Sequence, residues 1–287
     1  MNVAVVGAGR VGTAIAVLLQ RAGHRIVAVS GRSATRDRAS RFLPDVPFES
    51  DVDAARSGDL VLIAVPDDAI ASVTARLAEA GSFRPGQWVA HLSGATGLDA
   101  LAPAEAAGAR SVAVHPLQTF PDVEGALDRI PGCSVAVTAR DDEGYLVGER
   151  IADDLLALPF RLDDGSRPLY HAAAVFASNY LVATTAIAQE LFDAAGVPDP
   201  LAAMLPLQQA TLDNVARLGP ARALTGPAVR GDASTIQRNL GALKRTAPHA
   251  LPAYVALCRV ALAIGTKSGR LTSDARAAVE EVLSDWT

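Results

Sequence analysis

Asn2-Val3-Ala4-Val5-Val6-Gly7-Ala8-Gly9-Arg10-Val11-Gly12 opens the chain with a short β-branched run, three spaced glycines and the start of an apolar-periodic segment. A G-x-G-x-x-G alone is weak evidence. Between a strand and an amphipathic helix it has a mechanism: Gly7 permits the tight turn, Gly9 lets the backbone approach a pyrophosphate, and Gly12 allows close helix–strand packing. The helix that begins at Arg10 and Val11 then offers free N–H groups to an anion. The alternative is a strand–turn–helix loop that binds nothing; the context favours a dinucleotide.

Working outward, Val3–Val6, Arg25–Val29, Leu60–Val65, Trp88–Leu92, Ser111–Val114 and Ser134–Val137 read as strands, each short and without clean polar alternation. Strands covered on both faces have that character. Val11–Ala22, Ala34–Phe42, Asp68–Ala80 and Leu98–Ala107 carry apolar residues at helical spacing between them. The alternation predicts a doubly wound, mostly parallel α/β sheet. After a last strand at Leu158–Leu162 the pattern turns wholly helical. Asp164-Gly165-Ser166 supplies a cap, Pro168 suits a first turn, and Gly196 with Pro198 ends a helix about 28 residues later. Further helices fit Leu201–Leu218 (with Pro206 as a kink or restart), Ser234–Arg245, Leu251–Lys267 and Ser273–Asp285. The boundary between an α/β domain, 1–163, and an all-α domain, 164–287, falls there.

Composition agrees with a folded chain. Half of the 287 residues are apolar before its 23 glycines are added, and only 20% are charged, so disorder is excluded. The net charge is −5 and no Lys/Arg block stands out, which argues against nucleic acid or an anionic membrane surface as partner. Cys133 and Cys258 lie far apart, and no CxxC pair is present. They read as reduced core thiols of a cytoplasmic protein. The first residues show no basic n-region or cleavage site, so a secretory leader is not expected. Tyr170 to Ala188 is long and weakly polar, but it contains His171, Ser178 and Asn179. It is read as a buried helix of a soluble protein rather than a membrane span.

The end of the second strand discriminates between cofactors. A carboxylate there would bind the free ribose 2′-hydroxyl of NAD; Ser30 stands in its place, followed by Arg32, Ser33 and Arg36. Guanidiniums and hydroxyls suit a 2′-phosphate, so NADP(H) is expected over NAD(H). Val65 and Pro66, at the carboxyl end of the third strand, can lie against the cofactor, while Asp67 or Asp68 reads as a helix cap.

Candidate chemistry gathers at the same strand ends. His91-Leu92-Ser93-Gly94 closes the fourth strand, and Ser93 can reach a carboxamide or a substrate. His115-Pro116-Leu117-Gln118-Thr119-Phe120 closes the next. The two histidines are either a proton-relay pair or ordinary hydrogen-bonded residues. His171 and Ser178, seven residues apart, share one helix face, and Asn179 lies within reach of it. His171 is a candidate proton donor, and Asn179 a group that orients a carbonyl. Buried helix-packing hydrogen bonds are the alternative. Arg230 can clamp a substrate carboxylate, with Asp232 beside it as partner or as cap of the next helix. The five histidines show no HxxxH or carboxylate pairing, so no metal is expected. No G-x-S-x-G elbow and no P-loop occur.

The succession of the glycine motif, Val65-Pro66-Asp67-Asp68, His91-Leu92-Ser93-Gly94, His115 to Phe120, Tyr170-His171 with Ser178-Asn179-Tyr180, and Leu224-Thr225-Gly226-Pro227 to Arg230-Gly231-Asp232 resembles a bacterial family. Its members are Rossmann-like oxidoreductases with a helical C-terminal domain of unassigned function. The resemblance covers essentially the whole chain. It implies a layout like that of pyrroline-5-carboxylate reductases and 3-hydroxyacid dehydrogenases, pairing of two copies through the helical domain, and, in some members, ketopantoate reduction. The relatives by layout place a lysine near an asparagine on the first long helix; here that helix has no lysine and His171 takes the place. The family's histidine after Gln237 and Arg238 is Asn239 in this chain.

The expectation is therefore an NADPH-dependent reductase of a small carboxylate-bearing carbonyl compound, ketopantoate first. A pyrroline-type imine or another 2-oxo acid is the alternative within that class. A non-catalytic NADP(H) sensor is the rival outside it.

Overall fold

A computed structural model describes residues 1–286. It divides into two compact units, Met1–Asn179 and a second from Tyr180 onward. The first holds one seven-stranded sheet: β1 (Asn2–Val6), β2 (Arg25–Ser30), β3 (Leu60–Ile63), β4 (Trp88–His91), β5 (Arg110–Pro116), β6 (Ser134–Ala139) and β7 (Leu158–Arg161). The strand order is β2-β1-β3-β4-β5-β6-β7. All neighbours are parallel except the β5–β6 pair, which is antiparallel. The mostly parallel, doubly wound sheet read from the sequence is the one observed.

Alternation along each strand splits the core into two layers. Val3, Val5, Leu60 and Leu62 face one side, with Ile15, Leu18 and Leu19 of α1 (Arg10–Arg21), Ala126 of α6 (Val123–Arg129) and Ile151 of α7 (Asp142–Asp154). Val6, Val61 and Ile63 face the other, against Ala55, Ile70, Leu77 and Ala104. Those four come from α3 (Asp51–Ser57), α4 (Ile70–Glu79) and α5 (Ala102–Ala106). Near-continuous apolar strands are what burial on both faces demands.

Three helices of this unit were not foreseen: α3, α6 (Val123–Arg129) and α7 (Asp142–Asp154). Each starts with a side-chain cap, Ser50 accepting from the Asp53 N–H, Asp122 from Gly125 and Asp141 from Gly144. Helix α2 (Ser33–Phe42) lies as expected. Asp67 and Asp68 do not cap; they form a 3-10 turn before α4, with no side-chain cap bond.

The single long helix expected after Asp164 is broken at Ser178 (φ −124°, ψ −67°) into α8 (Arg167–Ala177) and α9 (Asn179–Ala194). Neither Asp164 nor Ser166 caps α8; the Asp164 carboxylate instead accepts the Leu98 N–H at 3.0 Å. The compact units divide after Asn179, and within the first the side chain of Arg167 ties α8 to the rest of the unit. The run is not a buried helix either: no residue of α9 is buried.

The second unit contains α10 (Pro200–Leu218, with Pro206 inside it), α11 (Pro220–Ala223), α12 (Pro227–Arg230), α13 (Ala233–Thr246), α14 (Leu251–Lys267) and α15 (Ser273–Ser284). Ile236, Leu240, Val255, Leu262 and Val279 make its core. By length and composition alone, 164–194 and 248–267 would suffice to cross a membrane.

Candidate functional site

The carboxyl ends of β1, β3, β4 and β5 are brought level by register: Val6 pairs with Ile63, Ile63 with His91, and His91 with Ala113. Strand order reverses at β1, the position where open α/β sheets form their ligand crevice. There Gly7 adopts φ +101°, and a Cβ on it would fall 2.6 Å from the Ala64 carbonyl oxygen. A Cβ on Gly12 would meet the Gly7 oxygen at 2.5 Å and the Ala64 methyl at 2.8 Å. Gly9 differs: a Cβ would meet nothing nearer than 4.0 Å. The first and third glycines are thus required by the protein's own packing, and the second faces open space. The N–H groups of Gly7 and Ala8 are spent on the Ser30 carbonyl, whereas α1 begins at Gly9 with no side-chain cap. That is the cradle an anion on a helix N-terminus needs.

A cleft of about 820 Å³ runs from this cradle, past Arg32, Arg38, Ala64, Val65 and Pro66, to Ser93, His115 and His171. A side slot of about 530 Å³ continues between Gly31, Arg32, Thr35, Val65 and Val73. Of the residues expected at a cofactor, Gly9, Arg10, Val11, Arg32, Val65, Pro66 and Ser93 line the cleft. Gly12 lies beneath it. Ser30 is fully buried, its hydroxyl without a partner. Ser33 and Arg36 line neither space. The Arg36 guanidinium instead lies over the Phe48 ring, 4.6 Å from its centre. Arg38, which the sequence reading passed over, takes a place on the cleft wall.

Ser93, on the cleft wall, also builds the 93–96 turn: its hydroxyl accepts from the Ala95 and Thr96 N–H groups and bonds the Thr96 hydroxyl. Under that turn lies Arg167, fully buried. Its Nε donates to the Thr96 carbonyl at 2.7 Å, Nη1 to the Thr138 hydroxyl at 2.8 Å, and Nη2 to the Ser93 carbonyl. Among the described residues the guanidinium has no carboxylate in ion-pair contact.

Both histidines at the strand ends are held neutral. Burial, reinforced by the charge of Arg167, pushes His91 down to about 3 and His115 down to about 4. His91 is enclosed, with Nδ1 accepting the Ser93 N–H and Nε2 lacking a partner. It supports the turn and does not line the cleft. His115 does, and so does His171, whose Nδ1 is buried without a partner.

A second pocket, about 560 Å³, lies along α8: His115, Gln118, Thr119, Tyr170, His171, Ser178 and Asn179 supply its polar wall, Leu117, Ala173, Ala174, Val175 and Ala177 its apolar one. His115, Gln118 and His171 belong to both spaces. The structure thus brings together His115, His171, Ser178 and Asn179. It leaves Arg230 and Asp232 in the second unit. There Asp232 is the N-cap of α13, accepting the Thr235 N–H at 3.0 Å, so its carboxylate is already engaged. Arg230 ends α12 as an exposed residue. Arg167 and Tyr170 are the residues sequence reasoning missed; their partners lie 29 to 74 residues away and leave no local mark.

An NAD(P)+ glycerol-3-phosphate dehydrogenase of Pseudoalteromonas translucida is 39% identical over 80 residues. The chain matches about a quarter of that relative's length (24%). The structure of a Bacteroides fragilis protein described as an NADP oxidoreductase superposes with TM-score 0.76 at 26% identity, covering 91% of this chain and 97% of that one. A Myxococcus stipitatus imine reductase in complex with NADP+ shares the fold, with TM-score 0.66 at 17% identity over 100% of this chain and 99% of that one. Residues 1–116 match the model of a Rossmann-like domain, and residues 133–261 match the model described as a domain of unknown function, DUF2520. As the sequence resemblance implies, the chain is a Rossmann-like domain followed by DUF2520.

Proposed function

We propose that the chain is an NADP(H)-dependent oxidoreductase that reduces a small carbonyl or imine compound. The observation that carries the reading is the shared wall: a dinucleotide-shaped cleft and a second, smaller pocket meet at His115, Gln118 and His171. The open side of Gly9 and the uncapped start of α1 at Arg10 and Val11 fit a pyrophosphate. Arg32, at the junction of cleft and side slot, is placed to read a 2′-phosphate, and Val65 with Pro66 forms the wall against which a flat ring rests. When bound, NADPH supplies a hydride. The substrate occupies the pocket along α8, where Asn179 and Ser178 orient its polar group and the histidines at the seam serve the proton transfer that follows the hydride. The Bacteroides and Myxococcus proteins, both tied to NADP by name, support the cofactor.

Ketopantoate is the first substrate to test, and a pyrroline-type imine the second, which the imine reductase neighbour favours. Mixed with NADPH and either compound, the purified protein is expected to bleach the nicotinamide absorbance, and His171→Ala or Asn179→Ala to abolish it. Arg32→Ala is expected to weaken NADPH, but not NADH, by roughly tenfold to a hundredfold. NADPH binding without its oxidation by any carbonyl or imine compound would turn the reading toward a sensor. Equal loss for both cofactors would remove the role given to Arg32. We further propose a cytoplasmic homodimer in which a second copy covers the exposed apolar residues of α9 and α10.

A further inference from the structure

The reductase reading leaves one contact unused. Tyr170 Oη lies 2.8 Å from His115 Nδ1. The phenol meets the imidazole edge-on, with centroids 5.5 Å apart and planes at 87°. Phe160 packs on the same phenol at 6.0 Å. The imidazole is fixed from a further direction: a Cβ on Gly94 would fall 2.8 Å from both Cε1 and Nε2 of His115. No left-handed φ requires glycine at 94, so the ring does. Tyr170 and His115 both line the pocket along α8.

Beneath the 93–96 turn, on which His115 rests, is the Arg167 guanidinium with only neutral acceptors. A buried cation hydrogen-bonded only to neutral acceptors, its charge offset in part by Asp164 and Asp67, raises the potential of the adjoining wall and favours negative charge that develops there. His171 is less suited to be the acid. Its Nδ1 is enclosed without an acceptor, so an imidazolium would carry an unmet N–H.

Resting on the reductase reading, we propose that Tyr170 is the catalytic residue that donates the proton to the reduced substrate, and that His115 reloads it. Hydride adds to the carbonyl carbon, and the C=O π pair moves onto oxygen. That oxygen takes the proton from Tyr170 Oη. The phenolate takes the Nδ1 proton of His115 as His115 Nε2 takes one from water, which leaves as hydroxide, so the ring stays neutral throughout. For an imine, nitrogen stands in place of oxygen. Both partners enter the step neutral at pH 7: burial raises the Tyr170 phenol to about 12, and burial with Arg167 keeps His115 at about 4. The other charged or titratable groups acting on His115 are His171, which opposes its protonation, and Asp67, which favours it.

Tyr170→Phe tests the assignment in the full chain. Its kcat with the turned-over substrate is expected to fall by about a hundredfold, with KM changed less than about threefold. NADPH affinity, read by nicotinamide fluorescence, is expected to stay unchanged, which excludes a folding defect. The unsubstituted protein is expected to hold kcat level between pH 6 and 8, because neither partner titrates there. A kcat of Tyr170→Phe within twofold of the parent, or an alkaline fall in kcat near pH 7 of the kind a histidine acid gives, overturns the proposal alone. If the unsubstituted protein binds NADPH but oxidises it with no carbonyl or imine, the reductase reading falls and the proposal falls with it.

Discussion

Helices α1 and α9 are both rich in small and branched apolar residues, yet their surroundings are opposite. In α1, eight consecutive residues from Gly12 to Leu19 are buried; in α9 none is. The following helix, α10, buries only Met204 of its 19 residues. The difference lies in what each helix has to lean on. The apolar surface of α1 is met by the sheet and by α6. The surface of α9 and α10 is left open by the chain itself, with Val182 68% and Leu207 64% exposed. Apolar sequence therefore measures a demand for cover, which the same chain meets for α1 and leaves unmet for α9 and α10.

The sharpest way to break this comparison is to charge the open surface. A double variant, Val182→Glu with Leu207→Glu, is expected to leave NADPH binding intact and convert a dimer to a monomer in light scattering. The dimer dissociation constant should rise by at least about a thousandfold, or roughly 4 kcal/mol. An unchanged mass would show that these side chains are not what a second copy covers. A monomeric parent that binds detergent or vesicles would assign the surface to lipid instead.

The next contrast is in acid. His91 and His115 are neutral in the fold, at about 3 and about 4, whereas an unfolded histidine titrates near 6.5. Between those values the unfolded chain binds more protons, so the first unit loses stability as the pH falls from about 6.5 toward 4. The loss is expected to reach roughly 2 to 4 kcal/mol by pH 5. The second unit holds no buried histidine of that kind among the described residues: its sole histidine, His249, lies at the surface beside Glu190, its side chain 60% exposed. The two tryptophans separate the units: Trp88 lies in the first and Trp286 in the second. Urea unfolding of Trp286→Phe and Trp88→Phe at pH 7 and pH 5 should show the acid loss in the Trp88 signal alone.

How much could be read in advance follows the range of the interactions. The glycine loop, the strands and α14 are set by local pattern, and all were legible. Helices α3 and α6 were missed because each is only seven residues long, too short for apolar periodicity to announce it, and their caps Ser50 and Asp122 went unread. Asp164 misled for the opposite reason: its residue type says cap, while its partner is the N–H of Leu98, 66 residues earlier. Arginine is a surface residue by habit, and nothing near Arg167 foretells that the Ser93 and Thr96 carbonyls will enclose it. The site was thus visible as a set of strand ends, while the groups that tune it were not.

The smallest expected effect gives the comparison its cleanest control, because one substitution should change sign between the units. In α7, a Cβ on Gly148 would fall 2.3 Å from Val137 Cγ1 and 3.0 Å from Val112 Cγ2. The sheet cannot retreat without shifting a buried strand, so Gly148→Ala should cost about 1 to 3 kcal/mol. In α13, a Cβ on Gly241 would meet only the tip of Arg245, at 3.6 Å. There the methyl group costs nothing sterically and removes backbone freedom from the unfolded chain, so Gly241→Ala should stabilise by about 0.5 to 1 kcal/mol. Urea midpoints read from Trp88 for the first variant and from Trp286 for the second would measure both. A loss at Gly241 as well would mean that the outer face of α13 is covered in solution, and that the second unit closes its surface by contacts the single chain does not contain.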